Sequence, residues 1–234
     1  MAKKKKAQSE TATKVYESPE ALQDSIGKSQ QFFEKNRNIL AGLLTVLVLV
    51  LGGFFWYQWY NNRQNQVAHE QLFPAEFYFQ KDSLEKALYG DGNYTDGFLS
   101  ISDEYSSTPA GNLATFYAGV SFVKLGDYQK AIEQLEDFSS DDYLIQARAY
   151  ALVGDSYMEL EQYQEAIKYY DYAAGYKPNG QFTPSYLIKL ALAHEKAGET
   201  EDAANAYQQI VDEYGDSDEV RTAKKYLSRL KAMQ

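Results

Sequence analysis

The sequence predicts an all-α protein, a single N-terminal transmembrane helix followed by a solenoid of helical hairpins. Two observations predict this class. Ala131, Ala166 and Ala203 fall in one register, 35 and then 37 residues apart, with similar residues around each, and self-similarity at such a period belongs to stacked helix pairs. Ile39 to Tyr57 form an uncharged run of 19 residues rich in Leu and Val, about the length that crosses a hydrocarbon core of roughly 30 Å as a helix.

The leader, residues 1–38, opens on the basic cluster Lys3 to Lys6. Ser18-Pro19 is a helix start, and Leu22, Ile26 and Phe33 then fall within a narrow arc on a helical wheel. This membrane-interface helix has two readings: a cytosolic docking element for a membrane partner, or interfacial anchoring helped by the lysines. The transmembrane helix follows at 39–60. Trp56, Tyr57, Trp59 and Tyr60 cluster at one end, while Lys28, Lys35 and Arg37 flank the other against Arg63 beyond, so the N-terminus is expected in the cytoplasm. A leader of 38 residues and the bulky Phe54-Phe55-Trp56-Tyr57 argue for a retained single-pass helix over a cleaved signal peptide. In a bacterium the helix would sit in the inner (cytoplasmic) membrane and the rest in the periplasm.

Residues 61–76 read as a linker, and 77–109 as a degenerate repeat in which Gly97 stands 34 residues before Ala131 and Pro109 closes the unit. Repeats follow at 110–143, 144–180 and 181–216. Their turns are KLGDYQKAI at 124–132, ELEQYQEAI at 159–167 and KAGETEDAA at 196–204. Gly126 and Gly198 stand where a first helix must stop, because glycine tolerates the left-handed conformation that ends helices. Small residues at Gly119, Gly154 and Ala191 let paired helices approach. Phe122, Tyr157 and His194, with Leu135, Tyr170 and Tyr207, are expected as bulky fillers between neighbouring hairpins. Val220, Ala223, Tyr226, Leu227 and Leu230 recur at helical spacing in a capping helix at 217–234, as a terminal unit needs a solvated outer face. This small-large-small pattern resembles the tetratricopeptide repeat.

Composition narrows the function. The chain has no cysteine, which removes disulfides and cysteine-ligated metals. Residues 61–234 carry 28 acids against 15 Lys and Arg, a formal charge of −13, the wrong sign for nucleic acid. His69 and His194 are the only histidines, and His194 is expected as a packed residue facing no other candidate ligand. Asp141-Asp142, and Asp216 with Asp218, precede helices and are expected to cap them. Phosphate-loop, nucleophile-elbow and zinc-protease motifs are absent from the sequence. No enzymatic activity, cofactor, metal or small-molecule substrate is expected.

Protein binding is the remaining class. First helices line the inner face of such a stack, which places Leu113, Phe116, Val120, Val123, Met158, Ile188 and Leu192 along an apolar groove. Arg148, Asp155, Glu159, Glu195 and Lys196 would edge it, a surface suited to peptide segments. Two alternatives stay open: cover by residues 61–80 with Leu72, Phe73, Phe77 and Phe79, or ordinary packing between repeats.

A basic leader, one span and an acidic repeat domain together resemble the YfgM-like ancillary subunits of the bacterial SecYEG translocon, over nearly the whole chain. DSLEKALYGDGNY at 82–94 and AGNLATFYAGVSFVKLGDYQKAIEQLEDFSSDD at 110–142 are similar to the form of that family in Bacteroidota. The resemblance implies a protein beside the translocon that works with a PpiD-like chaperone on secretory chains as they emerge. A scaffold for an unrelated envelope assembly complex is the alternative, since repeat arrays serve many partners.

Overall fold

The computed structural model describes residues 19–92 and 95–232. Lys3 to Lys6, Ser18 and Met233 lie outside these residues, and the side chain of Leu22 is outside the description too. The chain divides into two compact units, residues 1–60 and 61–234. Among the described residues the regular structure consists of ten α-helices.

The first unit holds the leading part of α1, which spans Pro19–Gln80 without a break. Pro19 begins it, as proline favours a first helical turn. The expected interface helix and the transmembrane helix are therefore one helix and not two. The intervening Asn36-Arg37-Asn38 contains neither glycine nor proline to stop a helix. Ile26 and Phe33 are exposed, as are the large apolar side chains from Ile39 to Tyr60 apart from the half-buried Leu40.

In the second unit, α1 continues from Asn61 to Gln80 and corrects the expected linker at 61–76. Ala68, Leu72 and Ala75 are buried, Leu72 at 2% exposure, against Phe98, Ile101 and Ala114. Polar bonds reinforce that packing: Asn61 donates through Nδ2 to the Ser107 carbonyl (3.1 Å), and Ala110 N–H donates to Asn65 Oδ1 (2.9 Å). Two of the three inward residues are alanines and Pro74 sits among them, so the stripe carries little hydrophobic signal. The degenerate repeat at 77–109 is likewise no simple hairpin. It contains the end of α1, then α2 (Leu84–Tyr89) and α3 (Phe98–Glu104). A Cβ on Gly97 would stand 2.2 Å from the Leu88 carbonyl oxygen, so the α2–α3 crossing requires glycine there.

Three hairpins follow: α4 (Pro109–Leu125) with α5 (Tyr128–Asp137), α6 (Tyr143–Glu159) with α7 (Tyr163–Gly175), and α8 (Thr183–Ala197) with α9 (Thr200–Glu213). The cap is α10 (Glu219–Ala232). Thr108 caps α4 by accepting from Gly111 N–H, ahead of Pro109 in the first turn, and Asp142 caps α6 by accepting from Leu144 and Ile145 N–H. All three turns share one geometry. Asp127, Gln162 and Glu199 N–H donate back to the carbonyls of Phe122, Tyr157 and His194, closing each helix around a left-handed residue. That residue is Gly126 (φ 79°) and Gly198 (φ 82°) in the first and third turns, but Glu161 (φ 57°) in the second.

Packing within a hairpin explains the small-large pairs. A Cβ on Gly119 would lie 2.5 Å from Leu135 Cγ, and one on Gly154 would lie 2.7 Å from the Tyr170 ring. Leu135 and Tyr170 thus seat on the glycine of their own hairpin, not only between neighbouring hairpins as the sequence suggested. The core then runs along the stack, with the Phe116 and Phe138 rings 5.1 Å apart at the junction of the first two hairpins.

Candidate protein-binding cleft

The first helices α4, α6 and α8 bring Val123, Met158 and Leu192 to one open cleft of about 530 Å³. Tyr128, Asp155, Glu159, Tyr170 and Lys189 complete its lining. Of the seven expected groove residues, these three meet. Phe116, at 8% exposure, belongs to the core between hairpins, and Val120 packs onto the same cluster. Leu113 rests against the N-terminal core and Ile188 against the C-terminal one. These four are packing residues because a first helix in the stack has neighbours on most of its circumference, leaving only a narrow open arc.

Residues 61–80 do not cover the cleft. Leu72 and Phe79 pack into the N-terminal cluster, while Phe73 is exposed and none of the four residues expected to cover the groove lines it.

The cleft wall is held by charge. Lys189 Nζ lies 2.5 and 2.7 Å from the two carboxylate oxygens of Asp155, and Tyr170 donates its hydroxyl to the same carboxylate at 2.6 Å. Burial, and then the Asp155 charge, push the Tyr170 phenol far above its ordinary range, because a phenolate there would be both desolvated and repelled. One repeat on, the arrangement recurs. Tyr207 donates to Glu195 Oε1 at 2.8 Å and Arg229 pairs with the other oxygen of Glu195. In both, acid and base are 34 residues apart. Glu195 therefore ties α8 to α9 and to the cap α10 and is not a free rim acid. Sequence reading missed Tyr128, Tyr170 and Lys189. The available signal was chemical: a tyrosine in a buried filler position needs an acceptor for its hydroxyl.

The other cluster of potential ligands is at the α8–α9 turn, where His194, Glu199 and Asp202 offer atoms within 4.8 Å of one another. His194 Nδ1 lies 2.7 Å from Glu199 Oε2, and Gln164 Nε2 donates to Glu199 Oε1 at 2.8 Å. His194 thus faces two acids, contrary to the expectation of an isolated histidine. The bonds from Gln164 and His194 hold the Glu199 carboxyl below its ordinary range. The cluster sits at the N-terminus of α9, whose dipole favours anions and works against a metal cation. It serves to tie Gln164 of α7 to the next hairpin.

Comparison with known proteins agrees with this geometry. Residues 116–184 and 154–218 match the family model for the tetratricopeptide repeat. A TPR repeat-containing protein of Methanocaldococcus jannaschii is 28% identical over 119 residues, a stretch covering 51% of this chain and 33% of that protein. The match therefore spans about a third of the relative's length. A solved structure of nearly identical TPR-like repeats from a putative kinesin light chain of Podosopora anserina superposes with a TM-score of 0.53 at 15% identity. It covers 71% of this chain and 86% of its own. A single-substitution variant of the same repeats gives 0.51 at 15% identity, covering 73% and 95%. At such identity these two structures speak for the fold alone: the second unit has the fold of a TPR-like solenoid, and among the described residues one helix, near the N-terminus, is long and apolar enough to cross a membrane.

Proposed function

We propose that this tetratricopeptide-repeat chain is a membrane-anchored periplasmic scaffold that holds other polypeptides, an accessory subunit of the SecYEG translocon acting with a PpiD-like chaperone on emerging secretory chains. The observation that carries the binding role is the open cleft between α4, α6 and α8. Val123, Met158 and Leu192 give it an apolar floor, and Asp155, Glu159 and Lys189 give it a polar rim. That combination takes apolar side chains of an extended or helical segment while Glu159, the rim carboxylate outside the Asp155–Lys189 pair, meets its basic groups. Anchoring is supported by the exposed apolar side chains of α1 from Ile39 to Tyr60, a surface that water does not tolerate and a bilayer does. The flanking charges favour an N-terminus in the cytoplasm. The translocon assignment rests on the family resemblance at 82–94 and 110–142.

Purification of the intact protein in mild detergent, followed by mass spectrometry, tests the assignment. Channel subunits and a PpiD-like chaperone are expected, with crosslinks to nascent chains. Recovery of outer-membrane or cell-wall assembly machinery in their place would overturn it. Met158→Asp with Leu192→Asp should abolish client crosslinking with little change in helicity, because both side chains are only half-buried. Undiminished crosslinking would remove the cleft from the mechanism.

A further inference from the structure

The α6–α7 hairpin carries a second recess, formed by tyrosines. Tyr150 of α6 is its floor, with a ring centroid 5.7 Å from that of Tyr172 at 59° and 6.1 Å from that of Tyr176 at 78°. Tyr172 lies in the last turn of α7 and Tyr176 is the extended residue just past its end, and their rings form the walls. Between them Gly175 contributes no side chain, and Asp171 completes the lining of a hollow of about 350 Å³. The walls are braced before any ligand arrives. Tyr172 packs at 81° on Tyr169, which Glu136 holds through its hydroxyl, and Tyr176 donates its own hydroxyl to the Ser140 carbonyl at 2.8 Å.

The chemistry of such a cup is specific. Aromatic faces carry negative charge from the ring quadrupole and attract ammonium and guanidinium groups, most strongly where several faces converge. Asp171 adds a carboxylate with no hydrogen bond or ion pair among the described residues. The Tyr176 hydroxyl is committed, so on that wall the ring is what a ligand meets. Tyr176 already draws one cation of the chain itself, since Lys177 Nζ lies 5.5 Å from its ring centroid. Lys177 is tethered by its ammonium to the Asp141 carbonyl and does not line the hollow. The formal charge of −13 over residues 61–234 draws basic ligands toward the surface that holds it.

We infer that the Tyr150–Tyr172–Tyr176 cup binds one lysine or arginine side chain of a partner polypeptide. This site is separate from the α4–α6–α8 cleft and does not depend on what that cleft holds. The probe is a fluorescein-labelled peptide of alternating lysine and glycine, read by fluorescence polarisation on the full-length protein in detergent. Its twin has every lysine acetylated, which removes the charge and keeps the length. Gly175→Leu fills the hollow. A Cβ at position 175 meets nothing within 4 Å, so the helix accommodates the change. The cup predicts an affinity about five- to tenfold lower for the acetylated peptide and for Gly175→Leu, and about threefold lower for Asp171→Asn. Tyr172→Leu, at a wall residue that is 46% exposed, repeats the test should Gly175→Leu lose helicity. Equal affinity of the lysine peptide for the parent and the cup variants would assign its binding to general attraction by an acidic surface and overturn the site. So would binding of phosphocholine, lost in Gly175→Leu, with no binding of the lysine peptide, which would assign the cup to lipid headgroups.

Discussion

Glu161 is one of three non-glycine residues with left-handed backbone among the described residues of the repeat domain, with Asp82 and Lys177. It holds φ at 57° in a turn where the other two repeats place glycine, and a side chain in the left-handed region costs about 1–2 kcal/mol. Glycine would lose more entropy on folding, which offsets part of the gain. Glu161→Gly is therefore expected to stabilise the domain by about 0.5–1 kcal/mol, a rise of roughly 2 °C in melting temperature that differential scanning calorimetry would resolve. A pH effect belongs to the same scale. Burial first, and the partner carboxylate second, raise the phenol pKa of Tyr170 and Tyr207 above the unfolded value. For an acid shifted upward, the neutral form is favoured in the fold. The stabilisation is complete below about pH 10 and is lost as pH rises beyond it. Absorbance at about 295 nm should show these two phenols ionising only with alkaline unfolding. Phenylalanine at both positions should shrink that late step without abolishing it, because burial also raises the phenols of Tyr105, Tyr117, Tyr157, Tyr169 and Tyr186.

At the level of elements, the hairpins were legible because their signals are local. Ala131, Ala166 and Ala203 set the register, and Gly126 and Gly198 marked two of the turns. The cleft was legible only in part. Helical periodicity separates inward from outward, but Phe116 and Met158 are both inward. Which of them meets a neighbour depends on the offset between hairpins, and that offset is set by contacts such as Asp155 with Lys189, remote in sequence. This pair joins α6 to α8 with both side chains about one-third exposed. A double-mutant cycle with Asp155→Asn and Lys189→Met should give a coupling energy of about 0.5–1 kcal/mol, reduced by salt. Zero coupling in urea melts would mean the pair does not fix the offset.

For the whole molecule, the consequential boundary is the one the sequence misplaced. Residues 61–76 have neither a strong apolar stripe nor a stop signal, so they read as a tether, yet Ala68, Leu72 and Ala75 close the N-terminal core. A chain beginning at Asn61 should melt as a cooperative helical domain. One beginning at Phe77 should lose about 3 kcal/mol or more, because Leu72 and its neighbours would leave Phe98 and Ile101 open to water. Equal melting temperatures for the two would return the segment to the role of a linker. The 34-residue interval between acid and base has a wider implication for how such an array could lengthen. Duplicating 144–180 in tandem would set a copy of Leu152 at the point where Lys189 meets Asp155, leaving that carboxylate and its tyrosine uncompensated. Growth by simple copying of a unit is thereby penalised, and an added module would need a matched cation written into its first helix.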